Sequence, residues 1–302
     1  MPIDLAATLP HLIRVRDHAG GVLPFSRGLM ATSILGTGAA TDLAYAIATE
    51  IQQHLLRTGA RDVETAELTE LAASVIATRG GARLAARYRA RRTARRDARP
   101  LFIVLGGAPG IGKSTVATRM AVRLGITRIV TTDTIREVLR TVIPAAVLPE
   151  LHGSTYEVAG EGTHPAEGYQ RQARVVCNAV VAVVRRLLAE RRSAIIEGVH
   201  VLPGELQRGL EGSPGAYLWV EALLTLEDEA THLRNLRARS MDEPGRGGVR
   251  SLARFTTIRS IQAWLCERAG AAGIERLDLG DPRRLTERLL DLVYDQAEAA
   301  DP

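Results

Sequence analysis

A chain of 302 residues, 46% apolar and 24% charged, is long enough to bury one large core or two modest ones and has an ordinary globular composition. The first residues carry Asp4 and Asp17 with no long apolar core, and no apolar run approaches a membrane span, so neither a signal peptide nor a membrane partner is expected and the expected compartment is the cytoplasm. The net charge of +5 is uneven: residues 83–99 hold eight arginines and one aspartate, a local +7 that leaves −2 for everything else.

Residues 1–92 read as a small domain. Leu12 to Arg16 alternates like a strand, Asp17 to Gly21 is a turn, and Val22-Leu23-Pro24 is the returning arm. Ser26 is placed to cap a short helix to about Leu35. Thr41 is placed to cap the next, with Leu43, Ile47, Ile51 and Leu55 on one face, and Thr65 starts a third. The pieces Arg14-Val15-Arg16-Asp17, Pro24-Phe25-Ser26-Arg27 and Ala86-Arg87-Tyr88 resemble the ATP-cone, a nucleotide-sensing module, and the resemblance implies phosphate contacts from Arg14, Arg16 and Arg27. A packing or dimerisation domain without a ligand is the other reading.

The arginine-rich stretch that follows favours helix and stops at Pro100. Its single aromatic residue, Tyr88, makes a poor stacking platform for nucleic acid, so it reads as a solvated inter-domain helix, with 93–99 as a basic linker.

From Pro100 to the C-terminus strands alternate with helices, which predicts an α/β fold: a parallel sheet of the P-loop type covered by helices. Leu101 to Leu105 is a buried strand, and Gly107-Ala108-Pro109-Gly110-Ile111-Gly112-Lys113-Ser114 fits G-x-x-x-x-G-K-[ST] without a mismatch, with Thr115 continuing into a helix to about Leu124. Glycines let successive N–H groups face an anion, Lys113 reaches the β/γ-phosphates, and the Ser114 hydroxyl ligates Mg²⁺. Lys113 is the only lysine in the chain, a compact ammonium where every other basic side chain is a guanidinium.

Further strands are expected at Thr127–Thr132, Ala194–Ile196, Ala216–Leu223 and Ile274–Leu279, with helices at 166–192 and 282–299. Functional groups gather at carboxyl ends of such strands. After the second stands Asp133, a candidate base for a substrate hydroxyl or, with Thr132, a helix cap, and Arg136 and Arg140 follow to read anions. After the third stands Glu197, for Mg²⁺ or substrate, and then His200, either a satisfied structural group or a proton shuttle. Leu151 to Tyr156 is either a pocket wall or a surface loop, and the helix carrying His232, Arg234, Arg237 and Arg239 before the Gly-rich Met241–Gly248 is either a lid over phosphates or a charged solvated face. Cys177 and Cys266 read as small hydrophobes, not as a disulfide or metal pair.

Gly107 to Thr115, Thr132-Asp133-x-x-Arg136-Glu137-Val138-Leu139-Arg140, Leu151-His152-x-Ser154-Thr155-Tyr156 and Ile195-Ile196-Glu197-Gly198-Val199-His200-x-x-Pro203-Gly204 together resemble the 2-phosphoglycerate kinase family over nearly the whole chain. The resemblance implies ATP and Mg²⁺ as cofactors and a small anionic acceptor whose hydroxyl takes the γ-phosphate. It implies catalytic roles for Lys113, Asp133 and Arg136, acceptor contacts from Asp133, Arg136, Arg140, Glu197, His200 and Arg237, and metal contacts from Ser114 and Glu197. Another polyol or inositol phosphate as acceptor, or an ATP-sensing nucleic-acid regulator, are the alternative readings; nucleic acid is not the expected partner, and a homo-oligomer is left open.

Overall fold

The computed structural model describes residues 13–17, 20–96, 99–158, 166–212, 216–242 and 253–299, apart from a few side chains in that range. The chain forms two compact units, residues 1–97 and 98–302.

In the first unit β1 (Arg14–Arg16) pairs antiparallel with β2 (Val22–Pro24), as the alternation predicts. A third strand, β3 (Asp62–Glu64), lies parallel on the other side of β1. It escapes sequence reading because it is three residues long with one inward side chain, Val63. The helices are α1 (Arg27–Leu35), α2 (Thr41–Arg57), α3 (Thr65–Gly80) and α4 (Ala82–Arg96). Ser26 Oγ caps α1 by accepting from Leu29 N–H, whereas α2 is entered through Ala40 with no side-chain cap. Ile34, Ile47, Ile51, Ile76 and Tyr88 are the centre of its core.

Tyr88 belongs to α4, so the arginine-rich stretch is not a solvated linker but the fourth helix of this domain. Arg87 and Arg91 are buried: Arg87 Nη1 donates to Thr37 O at 3.0 Å and Arg91 Nη1 to Ser33 O at 3.5 Å. Those carbonyls lie at the C-terminal end of α1, whose last turn has no basic residue of its own. Two guanidinium groups from α4 supply the positive charge that end attracts, while their apolar stems cover core. On its outer side Arg89 pairs with Glu70, and Arg92 donates to Thr69.

In the second unit five parallel strands run in the order β5 (Ile129–Thr131), β6 (Ala194–Gly198), β4 (Leu101–Gly106), β7 (Leu218–Thr225), β8 (Glu275–Asp278). Helices α5 (Lys113–Leu124), α6 (Thr132–Val142), α7 (Thr155–Val158), α8 (Glu167–Ala189), α9 (Glu205–Arg208), α10 (Glu229–Asp242), α11 (Phe255–Ala271) and α12 (Pro282–Ala299) connect and cover them, with a 3₁₀ turn at Pro149–His152. β4 and β6 are buried along nearly their whole length, as continuous apolar runs in a doubly covered parallel sheet should be. Cys177 and Cys266 are free thiols. No helix among the described residues is long and apolar enough to cross a membrane.

Candidate active site

Register places the chemistry. Thr131 of β5 pairs with Glu197 of β6, and Glu197 pairs with Leu105 of β4. The phosphate loop after β4, the carboxylate of Glu197 and the start of α6 therefore emerge side by side at one end of the sheet. Adjacent strands are about 4.8 Å apart, so the loop and α6 lie on the order of 10 Å apart with Glu197 between them.

The loop itself folds as the motif requires. Gly112 enters α5 at φ 104°, a left-handed conformation natural to glycine. Ala108 and Ile111 are buried beneath the turn, and Lys113 is buried with its Nζ donating to Ala108 O at 2.8 Å. Ser114, exposed at the mouth, donates its hydroxyl to Glu197 Oε1 at 2.9 Å, and Thr115 is exposed beside it. A hydroxyl and a carboxylate brought together beside a phosphate cradle are hard oxygen donors, and Mg²⁺ in such sites needs few protein ligands because phosphates and water complete its shell.

α10 braces the loop from outside. His232 is buried and donates through Nε2 to Pro109 O at 2.8 Å, with Phe255 edge-on to its ring. Leu236, one turn later, is so close to Gly110 that any Cβ there would collide with it. Burial holds the His232 pKa below its ordinary value, partly opposed by the bond to Pro109. Arg237 follows Leu236 and is exposed. The expected hinge from Glu243 to Gly248 lies outside the described residues, as does the Arg239 side chain.

On α6 the helix cap is Thr131, whose Oγ1 accepts from Thr134 N–H at 3.2 Å, and neither Thr132 nor Asp133 performs that task. Asp133 instead holds its carboxylate in the first turn, 55% exposed. Arg136 Nη1 donates to Gly153 O at 2.7 Å and Nη2 to Glu137 Oε1 at 3.0 Å, leaving Nε buried without a partner. Arg140 reaches the same Glu137 oxygen at 3.2 Å. Burial would raise the Glu137 pKa, but the two arginines outweigh it and hold the carboxyl below its ordinary range. The expected pair of anion readers therefore shares an internal counter-charge.

His200 is a correction. It has no exposure and cannot line a pocket. Its Nδ1 faces Thr132 Oγ1 at 3.0 Å and Asp133 Oδ1 at 3.5 Å, and its Nε2 faces Gln172 Oε1 at 3.2 Å. Burial pushes its pKa down to about 4, with Asp133 pulling upward and Arg136 and Lys113 downward. Thr132 fills the space beside Gly198, where a Cβ would overlap its hydroxyl.

A family model described as an AAA domain matches residues 102–267. A protein of Methanocaldococcus jannaschii named 2-phosphoglycerate kinase is 33% identical over 280 residues, covering 91% of this chain and 89% of its own. This chain belongs to the 2-phosphoglycerate kinase family. Two other members, from Thermococcus kodakarensis and Pyrococcus furiosus, are 37% and 42% identical, over 83% and 64% of this chain. The match spans 86% of the Thermococcus protein and 66%, just short of two thirds, of the Pyrococcus one.

In this 2-phosphoglycerate kinase family member the segment Leu151–Tyr156 is packed rather than a surface loop: Leu151 and Tyr156 are buried. Sequence reasoning did not single out Gln172, which holds that segment. Its signal was present, a polar residue in the buried stripe Tyr169, Ala173, Val176, Val180 of α8.

Proposed function

We propose that this ATP-dependent kinase transfers the γ-phosphoryl group of ATP to the 3-hydroxyl of 2-phosphoglycerate, releasing ADP and 2,3-bisphosphoglycerate. The observation that carries the reading is the row at the sheet end: phosphate loop, Ser114 with Glu197, then Asp133 with Arg136 one turn beyond. A phosphate donor and an acidic base stand side by side with arginines near the second, which is what transfer between two anionic substrates requires.

The loop amides and Lys113 bind the β- and γ-phosphates. Mg²⁺ would be held by Ser114 and Glu197 and would supply charge neutralisation on those phosphates. Asp133 takes the proton from the acceptor hydroxyl as its oxygen bonds to phosphorus and the bond to the ADP oxygen breaks. The acceptor lies between α6 and residues 149–156, with its carboxylate and phosphate competing with Glu137 for Arg136 and Arg140. Arg237, on the helix braced against the loop, stands on the donor side.

Because Glu137 compensates the guanidinium groups when no anion does, a missing acceptor phosphate costs less than leaving a buried cation bare. A charge-assisted contact worth about 1.5–3 kcal/mol gives roughly 10- to 10²-fold. A screen of ATP consumption over 2-phosphoglycerate, glycerate, neutral polyols and inositol phosphates, with products identified by mass, tests this. The expected result is bisphosphate from 2-phosphoglycerate and a glycerate kcat/KM lower by that factor. A neutral polyol or an inositol phosphate serving equally well would overturn the acceptor assignment.

The N-terminal domain is read as a nucleotide-sensing module. Arg27 supports this, lining with Tyr45, Arg57 and Arg79 a groove of about 710 Å³, in which Arg79 is paired with Glu50 at 2.7 Å. Arg14 and Arg16 are instead engaged by Asp62 at 2.5 and 3.0 Å.

A further inference from the structure

Gln172 is fully buried on α8, and a buried primary amide is costly unless its donors and acceptor all find partners. Its Nε2 donates to Glu150 O at 2.5 Å and Gly153 O at 3.0 Å. Two carbonyls on one side dictate which end of the amide is NH₂, so Oε1 must face the other way, and there it meets His200 Nε2 at 3.2 Å. That contact requires a proton on Nε2. The Nδ1 lone pair then accepts from Thr132 Oγ1, which in turn receives the His200 backbone N–H at 3.4 Å. Thr155 Oγ1 stands 3.4 Å from the same Nε2.

The bonds close on themselves. Thr132 leads to His200, His200 to Gln172, and Gln172 to Gly153 O. Arg136 Nη1 donates to the same carbonyl, and one turn of α6 returns to Thr132. Asp133 sits on that turn. The ring ties the residue next to the base to the 149–156 segment, and none of its members except Arg136 has a charge to offer a ligand.

We propose that Gln172 and His200 form a buried strut that sets the separation between Asp133 and the 149–156 wall, making both positioning residues for the acceptor and not for ATP. Resting on the acceptor location given above, the strut nonetheless has a consequence that needs no acceptor. Without Gln172 the 149–156 segment loses the two bonds that hold its backbone to α8, while the phosphate loop, held by His232, keeps its own support. A displacement of about 1 Å at a reacting group costs on the order of 10²-fold in rate.

The test uses the full chain with Gln172→Met, which keeps length and volume, and Gln172→Asn, which keeps the amide but cannot span the gap. His200→Gln, able to donate to Gln172 and accept from Thr132, is the conservative comparison. In hydrogen exchange followed by mass spectrometry, Gln172→Met should lose protection in the 148–157 peptide and keep it in the 105–116 peptide. With 2-phosphoglycerate, acceptor kcat/KM of Gln172→Met should fall about 10²-fold while KM for ATP changes less than about twofold, and the conservative His200→Gln, made alone, should lose much less than Gln172→Met. Should Gln172→Met not fold, Gln172→Asn carries the same two readings. Unchanged exchange at 148–157, or a parallel fall in ATP and acceptor parameters that tracks thermal stability, would overturn the strut. If the parent chain does not phosphorylate 2-phosphoglycerate, the acceptor assignment falls and the exchange result alone decides the strut.

Discussion

At the scale of single residues, His200 shows how position decides what a titratable group does. It sits three residues beyond Glu197, and sequence alone invites a role in the pocket. Its ring instead points into the interior, where burial favours the neutral form. With its folded pKa lowered to about 4 from an ordinary 6.5, it is neutral in both folded and unfolded chains above that value. Between pH 6.5 and 4 the unfolded chain takes up a proton that the folded chain refuses. Stability therefore falls as pH falls through this window, by about 3 kcal/mol in all, and the contribution is gone below it. The denaturant midpoint of His200→Gln, compared with that of the parent from pH 7 to pH 4, should shift against the parent as the pH drops, because only the parent has this group to titrate; curves that stay parallel would show that His200 does not titrate this way. That Lys113, Ser114, Asp133 and Glu197 would lie at one end of the sheet was legible in the sequence because strand ends in a parallel sheet face one edge. What Arg136 and His200 touch was not, because those partners, Gly153, Thr132 and Gln172, come from segments far away in the chain.

At the scale of elements, α6 separates two roles that the sequence left joined. A carboxylate in the first helical turn could cap or could catalyse, and here Thr131 does the capping. Removing the charge of Asp133 should therefore leave the helix end intact. Asp133→Asn is expected to lower kcat by about 10²- to 10⁴-fold with little change in thermal midpoint. Normal turnover in the folded variant would remove Asp133 from the chemistry. Helices with sharp signals were read closely: α5 runs Lys113–Leu124 behind the phosphate loop, and α12 runs Pro282–Ala299 with Asp281 accepting from the Arg283 and Arg284 N–H groups. β5 begins two residues later than expected and ends one earlier, where Thr131 caps α6, and β7 sits two residues further along than the hydropathy suggested. α4 was misjudged because hydropathy counts arginine as polar. It cannot show that Arg87 and Arg91 neutralise the end of α1.

At the scale of the whole molecule, the two units have separate cores, and the phosphate loop with its neighbours lies entirely in the second. A chain beginning at Ala98 should therefore still transfer phosphate. If the first unit senses nucleotide, the shortened chain should also lose any response to ATP or ADP beyond competition at the active site. Identical response curves for the two chains would leave that domain a packing role only. The central claim is that the γ-phosphoryl group reaches 2-phosphoglycerate through the Lys113 loop. The most direct measurement follows a labelled γ-phosphate of ATP into product, for the parent chain and for folded Lys113→Ala. The expected result is label in 2,3-bisphosphoglycerate from the parent, and a rate at least about 10²- to 10³-fold lower in the variant. Label released only as inorganic phosphate by the parent, or near-normal transfer by Lys113→Ala, would contradict the account.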